Sequence, residues 1–235
     1  MNDPANTSNI YKSINQSENR VILFLKFIIK KIIVAFIKMF RSNNAFTFGN
    51  KKFDFFIHEY NTTWMNERKV EIPIALSFIS GHKNILEVGN VLSHYVDAPW
   101  DIIDKFEKGE RIVNADVTDF TPNEKYDLIV SISTLEHVGF DDDKKDTEKI
   151  VKALLNLKNN CLEVGGKMIV TLPIGYNKEM DKKLFSGQLA FDEIYFLKRV
   201  SKHEWKETQK NKITSVQYGH PFPGANSISV GLINK

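Results

Sequence analysis

From Asn84 onward, short apolar runs alternate with helical stretches. The runs are Ile85–Val88, Ile102–Ile103, Ile112–Val113, Leu128–Ile132, Met168–Leu172, Tyr195–Val200 and Ser227–Leu232. Alternation of this kind predicts an α/β sheet. The first run, in NILEVGN, reads as a buried strand that stops at Gly89. The clearest helix is expected over Lys144–Leu162, with Ile150, Val151, Leu154, Leu155 and Leu157 on its buried side and Gly165-Gly166 closing it. Its acidic start, DDDKKD, suits the positive end of a helix. The segments joining the first three strands are too short for full crossover helices. Upstream, AFTFGNKKFDFF alternates aromatic and polar residues around Gly49-Asn50, a β-hairpin signal. A helix capped by Asn61 or Thr62, broken near Pro73 and ended at Gly81 is expected to follow.

The N-terminal pattern differs. Residues 1–20, rich in Asn and Ser with few apolar anchors, read as a flexible tail. In VILFLKFIIKKIIVAFIKMF the basic residues Lys26, Lys30, Lys31 and Lys38, flanked by Arg20 and Arg41, fall within roughly 140° of a helical wheel, and the other faces are apolar. A membrane span would bury Lys30 and Lys31 at about 2.5–3.5 kcal/mol each. A signal peptide fits poorly, since lysines puncture the apolar stretch. A helix lying in the headgroup plane of an anionic membrane satisfies both faces; packing of the oily face on the domain or on a second subunit is the other reading. The expected division is a tail over 1–20, a basic amphipathic helix over 21–41, a hairpin and helical cap over 42–82, and the α/β domain over 83–235.

Charge sharpens this division. The 235 residues carry a net +3, and residues 21–41 hold five positive charges and no negative ones, which leaves about −2 on residues 42–235. A body so balanced lacks the basic face that phosphate contacts require, so no nucleic-acid partner is expected. The single cysteine, Cys161, excludes an intrachain disulfide and reads as a small core residue.

In an open α/β sheet, ligands bind beyond the carboxyl ends of the strands. The residues there are strongly polar: Glu87, Gly89 and Asn90 after the first strand, Asp104 after the second, Asp116 and Asp119 after the third, and Ser131, Ser133, Glu136 and His137 after the fourth. Carboxylates after successive strands can accept hydrogen bonds from ribose hydroxyls and from an adenine amino group, which describes a nucleoside pocket.

The ordered set ILEVGN, DIID, NADVTDF, YDLIVSISTLEHV and VGGKMIVTLP resembles the motifs of class I S-adenosylmethionine-dependent methyltransferases. The resemblance implies a Rossmann-like sheet, mostly parallel with an antiparallel last strand, and S-adenosyl-L-methionine as cofactor. It implies that Glu87 and the Gly89 backbone hold the methionine part, Asp104 the ribose and Asp116 the adenine amine, with Ser133 also facing the cofactor. The family pattern usually has two more glycines after Gly89; here Asn90, Val91 and Leu92 follow. A sulfonium amino acid has no pyrophosphate to cradle, so one glycine and an adaptable Asn90 suffice for the turn. The same gap weighs against a nicotinamide cofactor, and it also supports an alternative, a non-catalytic scaffold that kept the fold.

YNTTWMNERKVEIP and YGHPFPGAN further resemble a bacterial subgroup of small-molecule methyltransferases. Arg68 suits the cofactor carboxylate or a surface ion pair. Tyr60 and Trp64 suit a cover over the cofactor or core packing. The implied reaction is methyl transfer to a small or lipid- or glycan-linked acceptor, at a hydroxyl, in the cytoplasm or peripherally on the inner membrane face. His137 is the candidate general base, since an imidazole titrates near neutrality. Bracing of its loop, or a metal shared with Asp141, are its other readings, and His220 is the reserve base.

Overall fold

The computed structural model describes residues 22–39 and 45–235; the tail expected over 1–20 lies outside the described residues. Among the described residues, ten strands and four α-helices follow one another. They are α1 over residues 22–39, β1 Ala45–Phe48, β2 Lys51–Asp54, α2 Arg68–Ile79, β3 Ile85–Val88, β4 Asp101–Ile103, β5 Ile112–Val113, β6 Tyr126–Ile132, α3 Lys149–Asn156, β7 Leu162–Pro173, α4 Lys178–Ser186, β8 Glu193–Ser201, β9 Glu204–Thr208 and β10 Ser227–Asn234. Eight strands form one sheet in the order β5-β4-β3-β6-β7-β10-β8-β9. Neighbours from β5 to β7 pair in parallel. β10 runs antiparallel between β7 and β8. This is the mostly parallel sheet with an antiparallel last strand that the motifs imply.

Each central strand is buried on both faces, which is why it reads as an apolar run rather than an alternation. Along β6, Ile129 packs with α3 and α4 residues such as Leu154 and Met180. Leu128, Val130 and Ile132 point the other way, against Ile72 and Ala75 of α2, Phe46 and Phe48 of the hairpin, and Val34 of α1. The hairpin and α2 therefore share a core with the sheet. No α-helix lies between β3 and β4 or between β4 and β5, in line with the short connections in the sequence.

The local expectations fare unevenly. Gly49-Asn50 forms the two-residue hairpin turn with both φ positive, at 54° and 66°, which matches the twist of the flanking strands. Asn61 and Thr62 do not cap a helix; both take positive φ inside a 3-10 segment, Tyr60–Met65, and α2 starts only at Arg68. Nor does Pro73 break α2. The carbonyl that its missing N–H would have served, on Lys69, accepts instead from the Phe56 backbone N–H at 2.9 Å, so the loss is made good from outside the helix. The helix expected from Lys144 begins at Lys149 and continues after Asn156 as a wider turn, Leu157–Cys161. Residues 141–146 instead loop back, with the Asp146 N–H donating to the Gly139 carbonyl at 2.9 Å. Gly165 and Gly166 lie inside β7 rather than closing the helix; Gly165, at φ +84°, sits where the register with β6 shifts.

Among the described residues no helix is long and apolar enough to cross a membrane. α1 rests on the body through Val34 and Ile37, and Lys31 lies 3.9 Å from Glu59. Leu23, Phe24, Ile29, Ile32 and Met39 are exposed, Phe24 at 62%. Cys161 is buried, and burial pushes its thiol up to about 11.

α4 and β9 escaped the sequence pattern. Asn177 caps α4 by accepting from the Met180 N–H at 3.1 Å, and Gly187 ends it at φ 84°. Within α4, Asp181 accepts from the Gly175 N–H at 2.9 Å through Oδ2, while its buried Oδ1 has no partner. Burial pushes this carboxyl up to about 6. A carboxyl raised on folding stabilises fully below its unfolded pKa, about 3.9, and that contribution is lost as pH rises through the folded value. Urea unfolding from about pH 4 to pH 7 should therefore show the wild type losing stability relative to D181N; a difference that does not vary with pH would refute the assignment.

Candidate active site

The chain passes from β3 to β4 and β5 on one side and to β6 on the other, so the sheet has its switch point beside β3, where open α/β sheets bind ligands. A cleft of about 390 Å³ opens there, lined by the ends of β3, β4, β5 and β6. Gly89, Asn90, Asp104, Asp116, Ser133 and His137 all face it. Glu87 and Arg68 do not.

Gly89 explains the strand's abrupt end. Its φ is +85°, and a Cβ there would lie 2.1 Å from Thr134 Oγ1. The glycine lets the β3 turn pass against the β6 loop. The missing glycines have an equally local cause. Glu87 is fully buried and accepts through Oε1 from the backbone N–H groups of Val91 (2.8 Å) and Leu92 (2.6 Å), and through Oε2 from Trp100 Nε1 at 2.9 Å. These bonds fold residues 92–94 into one 3-10 turn. Glu87 thus shapes the loop and makes no contact with the cleft, which corrects its expected hold on the methionine part. Since its carboxylate consumes the amides that would otherwise cradle a pyrophosphate, a dinucleotide fits poorly.

Asp104 is also partly committed. Oδ1 accepts from the N–H groups of Phe106 (2.8 Å) and Glu107 (2.7 Å), and Oδ2 from that of Asn90 at 3.1 Å. A carboxylate has about four acceptor positions, so Asp104 keeps one, on Oδ2. The Asn90 side chain donates to Glu107 at 2.6 Å and accepts from Ser93, which fastens the β3 turn to the β4 loop. Asp116 lies in an ion cluster with Lys149 (2.7 Å) and Lys105 (3.2 Å), and Asp142 bridges the same two lysines. Burial raises the Asp116 carboxyl, but Lys149, Thr118 and Lys105 outweigh it and hold it well below the usual carboxylate range. The acid run therefore supplies a lysine clamp through Asp142, while Asp146 accepts from the Glu148 N–H at 2.9 Å.

Arg68, its side chain 14% exposed, does not line the cleft. It donates to Glu71 at 2.8 Å and to the Ile132 carbonyl at 3.2 Å. Burial disfavours its charge, yet Glu71 and Glu67 raise its pKa overall. The ion pair expected at the surface is thus made with a fully buried partner. Ser133, at φ 39°, donates through Oγ to Glu71 at 2.5 Å. Trp64 packs in the second core. Tyr60 stacks on His94 with centroids 4.6 Å apart. Neither lines the cleft.

His137 ends the 3-10 turn Leu135–His137 after β6. Its Nδ1 pairs with the Asp141 carboxylate, Tyr176 donates to the same carboxylate at 2.9 Å, and Nε2 lies 3.5 Å from Glu136. Glu136 is buried, its Oε2 has no partner, and burial pushes its carboxyl well above the ordinary range. Among the described residues no group of three or more potential ligands is placed to hold a metal ion. Sequence reasoning missed Tyr176, Lys105, Lys149 and Phe106. Tyr176, three residues after β7, and Lys105 and Phe106, just after β4, stand at positions of the kind that flagged the others. Lys149 carried no signal.

No family model matches the chain, and no curated protein does. Among solved structures it is similar to the N-methyltransferase NodS from Bradyrhizobium japonicum WM9 in complex with S-adenosyl-L-homocysteine (14% identity, TM-score 0.44, 68% of this chain and 81% of that one). It is also similar to a SAM-dependent methyltransferase from Archaeoglobus fulgidus (12%, 0.42, 68% and 89%). A third is the sugar N-methyltransferase KedS8 from Streptoalloteichus sp ATCC 53650 (10%, 0.35, 69% and 84%).

Replacing Gly89 by Ala adds a methyl group where Thr134 already stands, in a backbone region that penalises side chains. Overpacking of this kind destabilises by about 1–3 kcal/mol, which denaturant unfolding would register. A neutral G89A variant would show that the close approach is not constraining.

Proposed function

We propose that the protein transfers a methyl group from S-adenosyl-L-methionine to a small or lipid- or glycan-linked acceptor. One observation carries this proposal. Asp104 and Asp116, at the ends of adjacent strands, face one cleft with the Gly89 turn, while the loop amides are spent on Glu87. Such a site offers carboxylates to a nucleoside and no cradle to a pyrophosphate. The residues fit the cofactor: Asp104 has an acceptor position for a ribose hydroxyl, Asp116 faces the base end, and Gly89 and Asn90 border the amino-acid end. When bound, the cofactor supplies an electrophilic methyl group, so the chain's own task is alignment and proton removal. For a hydroxyl acceptor, Asp141 holds His137 through Nδ1 and leaves Nε2 as the basic nitrogen. Tyr176 steadies that carboxylate. The scaffold alternative predicts no cofactor binding.

Calorimetry with S-adenosyl-L-homocysteine should show binding to the wild type and to H137Q alike. Mass spectrometry of cell-envelope extracts should show an acceptor heavier by one methylene in cells with the wild type, and at least about 10²-fold less of it with H137Q. Absence of binding to folded wild type would favour the scaffold. Undiminished product with H137Q would remove the base assignment.

We further propose that α1 lies on an anionic membrane, at the cytoplasmic face. Its exposed apolar side chains and its lysines, with Val34 and Ile37 turned to the body, support this. Each lysine near the surface contributes up to about 1 kcal/mol at low salt. Full-length protein should float with phosphatidylglycerol vesicles, float less with phosphatidylcholine ones, and lose binding in K26E/K30E. Vesicle-independent dimerisation through this face would overturn the assignment.

A further inference from the structure

Asp116 faces the cleft with every acceptor position occupied. Oδ1 accepts from the N–H (3.2 Å) and the hydroxyl (2.8 Å) of Thr118. Oδ2 accepts from Lys149 Nζ at 2.7 Å and lies 3.2 Å from Lys105 Nζ. A carboxylate offers about four lone-pair directions, so a ligand N–H reaches Asp116 only by displacing one of these donors. The four differ in how firmly they are held. The Thr118 donors belong to the same turn. Lys149, the first residue of α3, is only 19% exposed and also donates to Asp142 at 2.5 Å. Lys105 is 42% exposed and makes the longer contact with Asp116, and its shorter bond, 2.7 Å, goes to Asp142 Oδ1. Lys105 can leave Asp116 and keep an ion pair.

We propose that Lys105 gates the base end of the cleft and that Lys149 reads the base. An incoming purine amine takes the place of Lys105 on Asp116 Oδ2, and Lys105 withdraws onto Asp142. Lys149 stays. An ammonium has three donors; two go to Asp116 and Asp142, and the third meets the ring nitrogen beside the amine. A carboxylate acceptor next to an ammonium donor complements the adenine edge, in which an N–H donor adjoins a ring-nitrogen acceptor. It mismatches hypoxanthine, whose carbonyl adjoins an N–H. Two aspartates and two lysines remain paired throughout, so the gate opens without isolating a charge. Phe106, next to the gate, is 76% exposed and lines the same wall, an apolar face for the ring.

The proposal rests on the cofactor assignment above, and one calorimetric series separates the two. S-adenosyl-L-homocysteine and S-inosyl-L-homocysteine are titrated into wild type, K105M, K149M and K149R, each checked for fold by circular dichroism. The wild type should prefer the adenosyl compound. K105M should bind it several-fold tighter, its competitor gone. K149M should bind it at least about tenfold more weakly, the loss expected for a hydrogen bond to a charged group, and should lose most of its preference over the inosyl compound, which K149R retains. Weaker or unchanged binding in K105M overturns the gate, and full discrimination in K149M overturns the reader. Failure of folded wild type to bind either compound overturns the cofactor assignment and the gate with it.

Discussion

The fully buried carboxylate of Glu71 ties the helical cap to the carboxyl end of the sheet. Arg68 from the first turn of α2, Ser133 after β6 and Thr171 of β7 all donate to it, at 2.8, 2.5 and 2.8 Å. Arg68 also reaches the Ile132 carbonyl, and the Ser133 N–H donates to the Thr171 carbonyl at 3.0 Å. These bonds fix Ser133 at a positive φ, which turns the chain out of β6 and presents Thr134, His137 and Val138 to the cleft. A charge buried this deeply is tolerable only when fully paired; removing one partner of such a pair typically destabilises by about 3–5 kcal/mol. The site thus stands on a network below it that reaches the cleft through Ser133.

The same economy recurs at the surface of the cleft. Glu87, away from the cleft, spends three of its four acceptor positions on Val91, Leu92 and Trp100, Asp104 retains one acceptor position that faces the cleft, and Asp116 retains none. Carboxylates at strand ends therefore serve two purposes, which compete. A carboxylate that orders its own loop keeps the cleft in shape, and each internal donor it takes is one fewer position for a ligand. Glu87 has gone wholly to structure. Asp104 is shared. Asp116 is held by donors of which one, Lys105, has an alternative partner at hand, and that distinguishes an exchangeable contact from a structural one.

This also decides how much was legible in the sequence. The seven apolar runs all appear as strands, because a strand buried on both faces must be apolar throughout and needs no partner to be recognised. Six of the positions after those strands, Gly89, Asn90, Asp104, Asp116, Ser133 and His137, gather at one cleft, since the topology of a parallel sheet sends its carboxyl ends to one edge. What failed were statements about partners. Spacing did not reveal that Glu87 turns inward to amides four and five residues on, or that Arg68 meets Glu71 one helical turn away under the sheet. Pro73 was read as a break because its compensating donor, Phe56, belongs to another segment. The helix start misplaced at Lys144 has the same origin: the acidic residues before Lys149 answer to Lys105, Lys149 and His137, and these lie near them only after folding.

α1 poses the opposite case, in which the pattern was legible and the fold leaves it unanswered. An amphipathic helix on a globular domain normally turns its apolar stripe inward. Here Val34 and Ile37 do so, while Leu23, Phe24, Ile32 and Met39 remain exposed. At about 25 cal/mol per Å² of apolar area, a face of several large side chains forgoes a stabilisation comparable to that of several core residues. The exposed apolar face and the lysines beside it fit a surface that accepts hydrocarbon and offers negative charge, and a bilayer supplies both. Lys31, 3.9 Å from Glu59, joins α1 by an ion pair to the segment that precedes Tyr60–Met65.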